Sequence, residues 1–156
     1  LKKIDLFQYE VSNFSRKGME SRNNLLVWSG NEYLGFGVGS HSFYNNLRWS
    51  NKRSIKAYLN DLNKKRWPVG FEEKLSHKKL ATEFLMLSLR QNNGFNVKVW
   101  ENYFGIKLQQ RELDFVKKLC DSELAIWKGG NLCLTPKGFL LVDSITLELS
   151  FFENKI

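Results

Sequence analysis

From Ser76 onward, every run of apolar residues at helical spacing is opened or closed by a capping or turn residue, and this punctuation leaves few folds open. Ser76 caps a helix to about Gln91, with Leu75 and Leu80 at the positions of a hydrophobic staple. Leu80, Phe84 and Leu87 form its expected buried stripe, and Asn93-Gly94 ends it. A short helix over Val97–Phe104 stops at Gly105. Another runs from about Gln109 to Cys120 and buries Leu113, Val116 and Cys120. Leu124 to Trp127, Gly129-Gly130 and Leu132 to Leu134 then read as a two-stranded ribbon around a tight turn. Thr135-Pro136 supplies an N-cap with proline at the first helical position, and Gly138, Val142, Ile145, Leu149 and Phe152 stack on one face of the last helix. Three helices, a β-ribbon and a closing helix predict a winged-helix-like domain.

The first half is less regular. Leu6 to Phe14 reads as a short buried strand ending in the polar turn Ser15-Arg16-Lys17-Gly18, and residues 20–29 suit a brief helix or turn that carries Trp28 inward. Tyr33 to Ser42 reads as a strand opening into a glycine-rich bend, with Gly35, Gly37 and Gly39 alternating so that small residues share one face. Asn45-Asn46 between aromatic stretches predicts a hairpin over Phe43–Trp49. Ser54 caps a helix to about Lys64, with Ile55, Tyr58, Leu59 and Leu62 at helical spacing. Trp67-Pro68-Val69-Gly70 reads as a linker, which puts a boundary there.

Charge tests the nucleic-acid reading. Lys and Arg exceed Asp and Glu by 24 to 16, but residues 1–75 hold 13 of the cations against 7 acids, and residues 76–156 hold 11 against 9. The half that resembles a DNA-binding fold is therefore nearly neutral, and a duplex binder needs a positive face to release counterions. A winged-helix nucleic-acid-binding module is the alternative function, and the charge split weighs against it. No window approaches the run of about 20 apolar residues that a spanning helix needs. Cys120 and Cys133 support neither a disulfide framework nor a four-ligand zinc site, so unpaired buried thiols and a cytoplasmic location are expected.

Four segments, in order, resemble the HemN/HemW family of oxygen-independent coproporphyrinogen III oxidase-like proteins and heme chaperones. They are Tyr9-Glu10-Val11-Ser12-Asn13-Phe14, Ser21-Arg22-Asn23-Asn24-Leu25-Leu26-Val27-Trp28, the glycine segment Tyr33–Ser42, and the pair Glu83–Arg90 with Leu134–Leu141. The resemblance implies an α+β chain: tail strands of a radical S-adenosylmethionine (TIM-like) barrel in residues 1–50, a linker helix and loop in 51–70, and a mostly helical, winged-helix-like C-terminal domain in 71–156. It implies S-adenosylmethionine and a [4Fe–4S] cluster for a full-length parent, an oxidoreductase of coproporphyrinogen dehydrogenase type. Such a cluster needs three converging thiolates. Two cysteines 13 positions apart cannot build it, so the chain alone is expected to be catalytically inert, with no catalytic and no metal-ligating residue.

The resemblance also implies a porphyrin or heme ligand, and a missing N-terminal barrel as structural partner. The family's H-N-x-x-Y-W element is associated with heme. Here its histidine position is Asn23 and its tyrosine position Val27, which leaves Asn23, Asn24 and Trp28 as a degenerate porphyrin-binding motif. The plain alternative has Trp28 packing and Asn24 capping a turn. Gly35, Gly37 and Gly39 are implied to line the cofactor cavity, where missing side chains leave room; close packing on a neighbour is the alternative. His41 and His77 read as structural and surface residues. The basic stretch Lys64-Lys65-Arg66-Trp67, with Arg48, Lys52 and Arg53, could grip anionic propionates.

Overall fold

The computed structural model describes residues 4–150. It is a mixed α+β structure with seven helices and small antiparallel sheets among those residues, in two compact units: residues 31–80, and residues 1–30 with 81–156. These units are drawn differently from the sequence boundaries at 50 and 70. Phe152 lies outside the described residues.

In the unit of residues 31–80, β3 (His41–Tyr44), β4 (Leu47–Asn51) and β5 (Val69–Lys74) form an antiparallel sheet in that order. The hairpin predicted at Asn45-Asn46 is present. Both asparagines have positive φ, 48° and 61°, as a tight two-residue hairpin turn requires. Ser54 accepts the Ala57 N–H and opens α2 (Ile55–Asn63). The expected linker is not one. Val69 and Gly70 begin β5, paired with β4 from Asn51↔Val69 to Leu47↔Lys74, because β4 offers an open edge that local sequence does not reveal.

In the other unit, the strand expected over Leu6–Phe14 is instead a small hairpin, β1 (Phe7–Gln8) and β2 (Phe14–Ser15). Its phenylalanines are half exposed, and the residue fully buried there is Glu10. Helix α1 (Arg22–Trp28) follows, its Asn24 N–H accepted by the Ser21 hydroxyl. From α3 (His77–Leu89) the order is β6 (Phe95–Asn96), α4 (Val97–Phe104), α5 (Gln110–Asp121), β7 (Ala125–Lys128) and β8 (Asn131–Leu134), with sheet order β6-β8-β7. The ribbon thus gains a third strand, supplied by two residues too short to show periodicity. The last helical stretch divides into α6 (Pro136–Phe139) and α7 (Val142–Leu149). Even so, Gly138, Val142, Ile145 and Leu149 are all buried as expected.

The core of this unit is built around Trp100, fully buried, whose indole N–H donates to the Ala81 carbonyl at 3.0 Å. Phe95 meets it edge-on at 5.6 Å between ring centroids, and Phe84 lies edge-on to Phe95 and Phe104. Such contacts add about 0.5–1.5 kcal/mol each beyond area burial. Helix α3 buries Ala81, Leu85 and Leu89 completely, one per turn, whereas the expected stripe of Leu80, Phe84 and Leu87 is half-buried. Apolar periodicity alone did not single out the small Ala81. In α5, Val116 is buried as expected, but Leu119 and Glu112 take the places read for Cys120 and Leu113. Glu112 turns inward because its carboxylate accepts the Gln109 N–H at 2.8 Å, closing the helix start.

Candidate functional site

Three places carry the residues that the sequence singled out. The first is α1. Asn23 is exposed there, while Asn24, Val27 and Trp28 are half-buried. Asn23 and Val27 stand four residues apart and so share a helix face, as do Asn24 and Trp28. The turn is capped by Ser21, not by Asn24. The backbone carbonyl of Trp28 accepts from Gln91 Nε2 at 2.9 Å, which ties the end of α1 to the end of α3. A pocket of about 350 Å³ opens nearby, lined by Phe7, Tyr9, Lys17, Glu20, Leu25 and Gln91 among others. Of the α1 residues only Leu25 lines it, so Asn23, Asn24 and Trp28 are not brought into this cavity.

Glu10, inside the Tyr9–Phe14 motif, was not singled out by sequence reasoning. The backbone around it pairs with the end of α3: Val11 N–H donates to Arg90 O at 2.8 Å and Asn92 N–H to Tyr9 O at 3.2 Å. This pairing draws Glu10 fully inside, where neither carboxylate oxygen has a hydrogen-bond partner among the described residues. An acid between Tyr9 and Val11, in a segment that reads as a buried strand, was the available signal. Burying a polar group without a partner costs about 1–3 kcal/mol by mutational measures. Glu10→Leu is therefore expected to raise the stability of this chain by about that amount. Urea denaturation checks it, and a fall in the midpoint would show that Glu10 has a partner.

The second place is the glycine segment. It is not the strand the alternation suggested. Tyr33 makes a single bridge to Phe43, and the chain then bends through Gly37 to Gly39. The three glycines are needed for different reasons. A Cβ on Gly35 would stand 2.1 Å from the His41 carbonyl oxygen, while Gly37 and Gly39 have φ of 96° and 68°. Asn51 holds the bend by donating from Nδ2 to Gly37 O at 2.9 Å and to Ser40 Oγ at 3.0 Å. Phe36, between two glycines, is 88% exposed. His41 opens β3 with its side chain exposed, and His77 begins α3, also exposed.

The third place is α5 and the β7–β8 turn, where a nucleic-acid reader would carry its positive face. Arg111 pairs with Glu148 at 2.6 Å, and Asp114 accepts from Gln110 on the same helix. These contacts put acids on the surface a duplex would have to approach.

The donor set does not fit an iron–sulfur cluster. Cys120 lies half-buried in α5 and Cys133 buried in β8, and burial pushes both thiols above the usual range, with Asp121 adding to the first and Lys128 opposing the second. Protonated thiols are poor ligands and nucleophiles at neutral pH. Among the described residues no three His, Cys, Asp or Glu side chains gather to hold a metal ion. No helix among them is long and apolar enough to cross a membrane.

Residues 75–141 match the HemN C-terminal domain family. This chain carries a HemN C-terminal domain. The match begins at the residue before the α3 cap and takes in α3 through α6, with both Glu83–Arg90 and Leu134–Leu141. The chain is also homologous to HemW proteins on both sides of Leu75. It is 30% identical over 140 residues to the heme chaperone HemW of Bacillus subtilis, covering 90% of this chain and 37% of that protein. With the heme chaperone HemW of Lactococcus lactis it shares 31% identity, over 88% of this chain and 36% of the relative. The chain thus spans little more than a third of these relatives and corresponds to their C-terminal part. In fold it is similar to the Escherichia coli coproporphyrinogen III oxidase HemN, a radical SAM enzyme, with a TM-score of 0.76 at 16% identity over 97% of this chain and 38% of that one.

Proposed function

We propose that this chain is the C-terminal part of a heme-handling protein of the HemW type, and that it acts with a radical S-adenosylmethionine barrel supplied by the rest of such a protein. The observation that carries this reading is the homology to heme chaperones across about 90% of the chain, which takes in the HemN C-terminal domain and the α1 and glycine segments before it. Within the proposal, residues 1–50 contribute the tail of the barrel and residues 51–70 the connecting helix. Pairing of β5 with β4 supports carrying that first part on to Lys74. The order helix, strand, helix, helix, strand, strand from His77 to Leu134 supports a winged-helix-like architecture for the rest.

The ligand in this reading is heme or a related porphyrin, and α1 offers it a face rather than a bond to iron. Neither Asn23 nor Val27 supplies an imidazole or a phenolate. Trp28 and Asn24 remain to stack and to hydrogen-bond; separately, the bend at Gly37, where nothing stands within 4 Å of an added Cβ, leaves room for a cofactor. The cluster and S-adenosylmethionine belong to the part outside this chain, and its own residues carry out no step of that chemistry. The two unpaired thiols suit a reducing, cytoplasmic compartment.

Reading the frame upstream of Leu1 tests the class. The proposal expects three cysteines spaced C-x-x-x-C-x-x-C within a barrel-length segment. A complete reading frame without them would overturn the radical S-adenosylmethionine part of the proposal.

A further inference from the structure

Helix α2 is turned the wrong way round for a surface helix. Its one buried residue is Asp61, which pairs with Lys52. The opposite side carries Ile55, Leu59 and Leu62, one per turn on a single stripe, and they are 65%, 49% and 44% exposed. The helix then closes in a Schellman turn: Arg66 N–H donates to Asp61 O and Lys65 N–H to Leu62 O, both at 2.9 Å, with Lys65 at a φ of 54°. That reversal keeps Arg66 and Trp67 at the end of the stripe, and Trp67 is 84% exposed. Arg53, Lys56, Lys64, Lys65 and Arg66 are all exposed around it. Between Arg48 and Phe71 the sequence has one acid, Asp61, and it is buried and already paired.

From this arrangement we infer that α2 and Trp67 form a peripheral docking surface for an anionic phospholipid bilayer. An apolar stripe on an exposed helix is convex, and a flat, deformable partner covers it more completely than a second rigid surface does. The five cations around the stripe select the sign of that partner, since basic side chains beside a buried apolar face are what bind helices to anionic headgroups. Trp67 suits the interface between headgroups and chains, where an indole has an apolar body and a polar N–H to place. The helix lies on the bilayer and does not span it, in keeping with its nine residues.

Sedimentation with vesicles tests the surface, using the whole chain. Binding is expected to vesicles of phosphatidylcholine with one-third phosphatidylglycerol, to weaken as salt is raised, and to be absent from phosphatidylcholine alone. Each cation near the surface is worth about fivefold in partitioning, so Lys64→Gln, Lys65→Gln and Arg66→Gln together should lower it by about a hundredfold. Leu59→Glu, at a half-exposed position, should abolish it while the circular dichroism spectrum stays that of the unmodified chain. Failure to bind the anionic vesicles, equal binding to both kinds, or full binding by Leu59→Glu would each overturn the inference. Concentration-dependent self-association that Leu59→Glu removes would assign the stripe to a second copy of this chain, and loss of vesicle binding in the longer protein that carries the proposed barrel would assign it to that barrel; either would overturn the inference.

Discussion

Trp100→Ala is expected to destabilise the chain by about 3–5 kcal/mol, enough to unfold much of the C-terminal domain at physiological temperature. The indole is fully buried, and its N–H donates to the Ala81 carbonyl within α3. Truncation leaves a cavity walled by Phe95 and Phe104, which rigid helices cannot collapse to fill. Trp100→Phe restores most of the volume and should recover part of the loss, while still lacking the hydrogen bond. Chemical denaturation of the two variants separates the contributions. A loss below about 1 kcal/mol for Trp100→Ala would show that the α3–α4 packing described above is wrong.

Gly138→Ala should cost about 3 kcal/mol, an effect out of proportion to one methyl group. A Cβ there would stand 2.0 Å from the Leu124 carbonyl oxygen. That carbonyl also accepts the Thr135 N–H at 3.0 Å, the bond that joins the end of the ribbon to α6. Relieving the clash means moving backbone and giving up this bond. Lys137→Ala, one residue earlier and exposed, removes only a surface pair with Glu123 and should change stability by less than about 1 kcal/mol. Thermal melts of the two variants side by side make the comparison, and equal effects would contradict it.

What was legible in the sequence follows from the range of the forces involved. Ser54, Ser76, Thr135-Pro136 and Gly105 act on backbone groups within one turn, and the helix ends they mark were readable to within a residue or two. Asn45-Asn46 fixed its hairpin in the same local way. Elements that exist through pairing were not readable. Val69 and Gly70 look like a linker until β4 is beside them, and Phe95–Asn96 is a strand only because β8 accepts it. The reading of Leu6–Phe14 as one buried strand failed similarly, since the pairing of residues 9–11 with the end of α3 pulls Glu10 inside and leaves the phenylalanines half out. At the candidate site, motif order gave the residues, but only the structure shows Asn23 exposed on α1 and the three glycines doing separate jobs.

The proposed heme-handling role puts the heme contact on α1, and a heme titration of this chain tests it most directly. Asn23 is exposed and shares a helix face with Val27, so Asn23→His with Val27→Tyr would place an imidazole and a phenol where an incoming heme can meet them. The unmodified chain is expected to show at most weak binding, without the Soret shift of an axial ligand. The double variant should gain that shift at stoichiometric heme. A sharp Soret shift in the unmodified chain that His41→Ala abolishes, with no gain in the double variant, would contradict the assignment and move the heme contact from α1 to the start of β3.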